Sequence, residues 1–159
     1  MNKKLKIALI SNTSNFFNSF TLKHIEQLSK NYELFVCCND PVNLKKLVPK
    51  NVSFVNLKFK RNISFFNDIL SFLLTLIFFL KEKPNLSISF TPKVGLIVAI
   101  VSFITNTPTR IHWFTGQVWA TKNGFSRIFL KSIDKIIYFL SDKVLIDSIS
   151  QKKFLIKEK

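Results

Sequence analysis

Apolar residues are distributed along this chain in two alternating rhythms. Short, nearly continuous apolar runs occupy residues 5–11, 33–38, 52–57, 86–90, 110–114 and 143–146. Runs of that length without polar alternation mark parallel strands covered on both faces. Between them apolar positions return every three or four residues, which predicts helices over 17–30, 64–82, 93–104, 126–140 and 148–157. Pro84 and Pro108 each close a helix and precede a strand. Regular alternation of strand and helix predicts an α/β fold: a doubly wound, mostly parallel sheet with helices on both faces. No repeat, low-complexity tract or linker interrupts the pattern, so residues 1–159 are read as a single domain.

The pattern also bears on membranes. The longest uninterrupted apolar run, 69–80, is bounded by Asp68 and Lys81 and falls short of the roughly 20 residues a membrane-spanning helix needs. The first ten residues mimic a signal peptide, but the apolar stretch breaks at Ser11 and Asn12 before a cleavage site. A cytoplasmic protein is expected. Cys37 and Cys38 are neighbours on a predicted strand and so point to opposite faces, where they are expected as free, small apolar residues.

Charge adds a partner. With 24 Lys and Arg against 9 acids the net charge is +15, which attracts phospholipid, nucleic acid or phosphate-bearing substrates. The abundance of Lys, Asn, Ile and Phe, including 18 Phe, also fits an AT-rich coding bias that contributes to the excess.

Parallel topology sets the loop after each strand along one rim, where open α/β sheets bind ligands. That rim collects Ser11, Asn12 and Thr13; Asn39 and Asp40; Lys58, Lys60 and Arg61; Thr91, Pro92 and Lys93; Thr115, Gly116 and Gln117; Asp147 and Ser148. Hydroxyls, amides and cations in this mixture suit a sugar or phosphate, although loops are polar in any case. There is no Gly-x-Gly-x-x-Gly after the first strand, which speaks against a dinucleotide site. Asn12 and Thr13 serve either as a helix cap or as ligand contacts. Pro92 fits the first turn of a helix whose N–H groups face an anion, with Lys93 as an added cation or simply a solvated lysine. In the run 112–119, Gly116 permits close backbone approach, Gln117 offers hydrogen bonds and Trp119 a stacking face. His112 is either a satisfied core residue or a functional contact. Arg127, Lys131 and Lys135 lie on one helix face with apolar residues opposite. Lys58, Lys60 and Arg61 precede Ile63, Phe65 and Phe66. Both are basic–apolar junctions suited to an anionic membrane, unless the apolar face is core. Ser148 and Gln151 read as a capping box. No metal-ligand spacing and no nucleophile triad is present.

The loops 87–95 and 110–124 resemble the acceptor-domain loops of bacterial family-4 glycosyltransferases of the two-domain GT-B type, of the capsule and O-antigen kind. The resemblance runs from the first strand to Asp147–Gln151 and implies the N-terminal, Rossmann-like half of that fold. It implies an acceptor wall of Asn12, Thr13, Thr91, Pro92, Lys93, Gly116, Gln117 and Trp119, facing a lipid-linked sugar or glycan acceptor. Many relatives carry a histidine immediately before the glycine. Here that position is Thr115, with His112 three residues earlier, so these two are the catalytic candidates. Such enzymes need no bound metal and, for this half, no cofactor. The donor-binding half with its paired glutamates has no equivalent in these residues, which implies inactivity alone and a separate donor-domain polypeptide. Peripheral attachment to the inner face of the plasma membrane is expected through Lys58, Lys60, Arg61, Arg127, Lys131 and Lys135. A non-catalytic remnant or docking module is the alternative. A nucleic-acid binder ranks last, because the cations are scattered and no recognition motif accompanies them.

Overall fold

The computed structural model describes residues 4–62 and 64–158. Six strands, β1 (Lys6–Thr13), β2 (Glu33–Asn39), β3 (Ser53–Val55), β4 (Leu86–Phe90), β5 (Thr109–Phe114) and β6 (Lys143–Ile146), form one sheet in the order β3-β2-β1-β4-β5-β6. Every pairing is parallel. The helices are α1 (Ser14–Phe20), α2 (Leu22–Asn31), α3 (Val42–Lys45), α4 (Phe65–Glu82), α5 (Pro92–Ile104), α6 (Gly124–Leu140) and α7 (Ile149–Lys157), with a 3-10 turn at Val118–Thr121. The expected doubly wound α/β sheet is the observed architecture.

The central strand shows why the apolar runs are continuous. Ile7 and Leu9 of β1 pack with Phe17 and Ile25 under α1 and α2, whereas Ala8 and Ile10 pack with Phe78, Phe79, Val94 and Val98 under α4 and α5. Both faces are covered along Ile7–Ile10, so that stretch of the strand is apolar throughout. Each fully buried Ile or Leu contributes about 1.5–3 kcal/mol. Cys37 and Cys38 are free, buried and divided between the same two layers, as strand alternation requires.

Four elements depart from the expectation. The helix foreseen over 17–30 is two helices broken at Thr21 (φ −131°, ψ 8°), whose N–H and hydroxyl both donate to the Phe17 carbonyl at 3.0 and 3.3 Å. A hydroxyl competing for a helical carbonyl favours such a break. The strand foreseen over 52–57 keeps pairing only at Ser53–Val55, at the sheet edge. The turns Val42–Lys45 and Val118–Thr121 are too short to carry a periodic signal.

The chain leaves β1 into α1 on one face and leaves β4 into α5 on the other. Since β1 and β4 are neighbours, this is the topological switch point, where the two loops part and leave a crevice. At its mouth the β1–β2 register shifts between Ile10 and Thr13, an irregularity of the kind that locally bends and twists a strand.

Candidate functional site

The crevice is a cleft of about 1090 Å³. Its polar floor comes from three strand ends: Asn12 and Thr13 at the end of β1 with Asn15 of α1, Thr91, Pro92 and Lys93 after β4, and Thr115, Gly116 and Gln117 after β5. One wall is apolar, made by Leu96 and Ile97 of α5 with Phe129, Leu130 and Ile133 of α6. Phe16 and Phe20 of α1 form a second apolar edge, and Arg61 and Asp68 close the remaining side.

Thr13 occupies the N-cap of α1, yet its side chain makes no capping bond. Asn12 accepts a 3.4 Å hydrogen bond from Ser11 through Oδ1. Thr91 holds φ +65° and ψ 139°, and its Oγ1 is buried without a partner. For a β-branched residue that backbone is a genuine outlier. Pro92 follows as the first residue of α5 and supplies no N–H of its own. Gly116 (φ +140°) has open space where a Cβ would lie, leaving its backbone accessible to a ligand.

Lys93 is not a free cation. Its Nζ donates to the carbonyls of Lys60 (3.0 Å) and Asn62 (2.7 Å) and forms an ion pair with Asp68. Two hydrogen bonds and one ion pair therefore hold the ammonium group in place. Arg61 lines the same cleft and makes no ion pair among the described residues. The strand rim thus offers hydroxyls, amides and one unpaired guanidinium, and Asp68 is the carboxylate among the described residues lining it.

Gln117 is held from behind. Its Oε1 accepts from Gln151 Nε2 at 3.2 Å, and the same amide donates to the Phe114 carbonyl at 3.1 Å. Gln117 Nε2 is buried without a partner. Ser148 caps α7 by accepting from Gln151 N–H at 3.1 Å, while Gln151 Oε1 accepts from Asp147 N–H at 2.8 Å. The capping residue Gln151 therefore also braces the cleft loop. Its reach across 34 residues has no signature in the local sequence.

Two candidate residues of the 112–119 run, His112 and Trp119, lie away from the cleft. His112 is fully buried beneath α5; its Nδ1 is 2.8 Å from Ser89 Oγ, and its Nε2 is without a partner. Burial lowers its pKa from 6.5 to about 4, so it is neutral at physiological pH. Trp119 is also buried, with its Nε1–H donating to Asp134 Oδ2 at 2.7 Å and its ring stacked on Phe154. Arg127 and Lys131 lie 5.4 and 5.3 Å from that ring and both pair with Glu158, at 2.8 and 3.1 Å. These contacts anchor α7 to α6. Burial raises Asp134 to about 6 against the lowering effect of the Trp119 bond.

Of the residues expected at a membrane surface, Arg127 and Lys131 are half-buried and paired with Glu158, while Lys58, Lys60, Arg61 and Lys135 are exposed. Ile63 lies outside the described residues. Sequence reasoning did not anticipate Asn15, Asp68 or the α5–α6 apolar wall in the cleft; Phe129 and Ile133 read there as generic core positions. No helix among the described residues is long and apolar enough to cross a membrane. No cluster of His, Cys, Asp or Glu among them could hold a metal ion.

No family model matches the chain. Over 127 residues it is 35% identical to a protein of Staphylococcus aureus named capsular polysaccharide biosynthesis glycosyltransferase CapM; the match takes in 80% of this chain and 33% of that protein. The chain therefore spans about a third of the length of this curated relative. Among solved structures, a putative UDP-N-acetylglucosamine 2-epimerase from Listeria monocytogenes superposes on 98% of the chain and 42% of its own, with TM-score 0.70 and 14% identity. The corresponding epimerase from Rickettsia bellii gives TM-score 0.70 and 17% identity over 98% of this chain and 42% of its own. At those identities the likeness is one of fold: a Rossmann-like sheet shared with part of each epimerase.

Proposed function

We propose that this domain is the acceptor-side half of a capsule-type glycosyltransferase, which transfers a sugar from a nucleotide donor to a lipid-linked or glycan acceptor. The observation that carries the reading is the switch-point cleft. It gathers Asn12, Thr13, Thr91, Pro92, Lys93, Thr115, Gly116 and Gln117 from three separated strand ends, and two of them, Thr91 and Gln117, carry buried, unpartnered polar atoms. The match to the S. aureus glycosyltransferase supports the same chemistry. Gln117 and Thr91 would hydrogen-bond sugar hydroxyls, Gly116 would let the backbone approach the ring, and Arg61 would meet a phosphate.

On this reading the domain presents the acceptor, is inactive alone and works against a donor-binding unit. The exposed Lys58, Lys60 and Arg61 support a peripheral position on the inner face of the plasma membrane. The test is a radiolabelled sugar-transfer assay on the chain recovered with a donor-domain polypeptide. Transfer is expected only from the pair, and Gln117→Ala and Thr115→Val should each lower it about tenfold or more. Transfer unchanged by both substitutions would overturn the reading.

A further inference from the structure

We propose that the outer face of α4 is the surface by which this domain docks on an anionic lipid bilayer. This rests on the membrane position inferred above and specifies the element responsible for it. The inward side of α4 is buried at Ser71, Thr75, Phe78 and Phe79. Its outward side carries Phe66 (84% exposed), Ile69, Leu73 (47%), Ile77 (61%) and Leu80 (55%). The spacing of three and four residues makes these one stripe, about 21 Å long at 1.5 Å per residue. A soluble surface seldom leaves so continuous an apolar band in water.

Charge selects the occupant. The two carboxylates of α4 are turned away and paired, Asp68 with Lys93 and Glu82 with Lys6. Exposed Lys58, Lys60 and Arg61 lie before the start of the helix, and exposed Lys81 and Lys83 lie at its end. None of these five makes an ion pair among the described residues. An apolar band with free cations at both ends and no free anion matches acyl chains beneath anionic headgroups. A nucleic acid would meet the cations and leave the band in water. A second copy would bring like charges together. Beyond α5, which packs against both helices, α6 adds exposed Ile128, Ile136 and Phe139. Because Arg61 and Asp68 also line the cleft, docking through α4 sets the cleft mouth beside the bilayer.

The experiment is co-sedimentation of the whole chain with phosphatidylcholine vesicles, with and without phosphatidylglycerol. The chain should bind the anionic vesicles about tenfold or more better at low salt and lose that preference as salt rises. Leu73→Ser with Ile77→Ser should cut partition about tenfold or more with an unchanged circular dichroism spectrum, since both side chains are exposed. Should that pair misfold, Phe66→Ser gives the same readout from the first turn. Lys81→Gln with Lys83→Gln should flatten the salt dependence. Stripe variants that bind as well as the parent would overturn the proposal. So would a parent chain that ignores vesicles, or one that sediments as a dimer dissociated by Ile77→Ser. Transfer to a water-soluble acceptor, measured with the donor-domain polypeptide, should be untouched by Ile77→Ser; its absence in the parent would sink the glycosyltransferase reading and leave the vesicle result standing.

Discussion

The imidazole of His112 lies directly on the backbone of Gly95. A Cβ built at Gly95 would overlap Cε1 and come within 2.7 Å of Nδ1, with Ile137 of α6 3.1 Å away on the same spot. This contact fixes how closely α5 packs on β5, and it explains a glycine in the interior of a helix where alanine would be preferred.

Gly95→Ala should therefore destabilise the fold by about 1–3 kcal/mol through overpacking, despite its better helix propensity. Combined with His112→Ala, which removes the opposing ring, the loss should be clearly less than the sum of the two single effects. Urea denaturation of the three variants checks this; strict additivity would show that the two residues do not press on each other.

Two buried groups titrate in opposite senses. His112 has a folded-state pKa of about 4 against an ordinary 6.5, so between those values the unfolded chain binds more protons. Its contribution is present above pH 6.5 and is lost as the pH falls through about 4, on the order of 3 kcal/mol in all. Asp134 is raised from 3.8 to about 6, so its contribution is present below pH 3.8 and is lost as the pH rises through about 6. The slopes oppose each other between about pH 4 and 6. Asp134→Asn should unmask a stability that rises with pH across this range, and His112→Asn one that falls. Denaturation midpoints from about pH 4 to 7 measure both, and two variants with parallel profiles would contradict the assignment.

Thr91 stores strain at the cleft floor. Its φ of +65° suits glycine better than a β-branched residue. Thr91→Gly should stabilise the fold by up to about 1 kcal/mol while removing the buried, unpartnered hydroxyl at the cleft floor. Thermal denaturation paired with the transfer assay should show stability and activity moving in opposite directions. A less stable, fully active variant would refute it.

Gln151 braces the cleft loop from α7. Gln151→Ala removes the bonds to the Phe114 carbonyl and to Gln117, and should speed amide exchange over 115–117 by about tenfold with β1 unchanged. Exchange mass spectrometry reads this directly, and an unaltered loop would mean that Gln117 is held by its own backbone.

Local patterning along the chain was enough for the strands, most of the helices and the rim. Continuous apolar runs demand two-sided cover, and parallel strands put every following loop at one edge, so Asn12, Thr91 and Gly116 could be placed together from the pattern alone. Patterning could not tell which side chain of a short run enters the cleft. His112 and Trp119 share that run with Gln117, yet one packs beneath α5 and the other anchors α7, because strand alternation and the turn at Val118–Thr121 send them elsewhere. Nor could it divide the lysines. Tertiary contacts engage Lys93, Arg127 and Lys131 with carboxylates from distant segments and leave Arg61, Lys81 and Lys83 in solvent. Periodicity is a local property that the chain writes residue by residue, whereas the partner of a charge is set by which helices become neighbours across the sheet, and only folding brings those neighbours together.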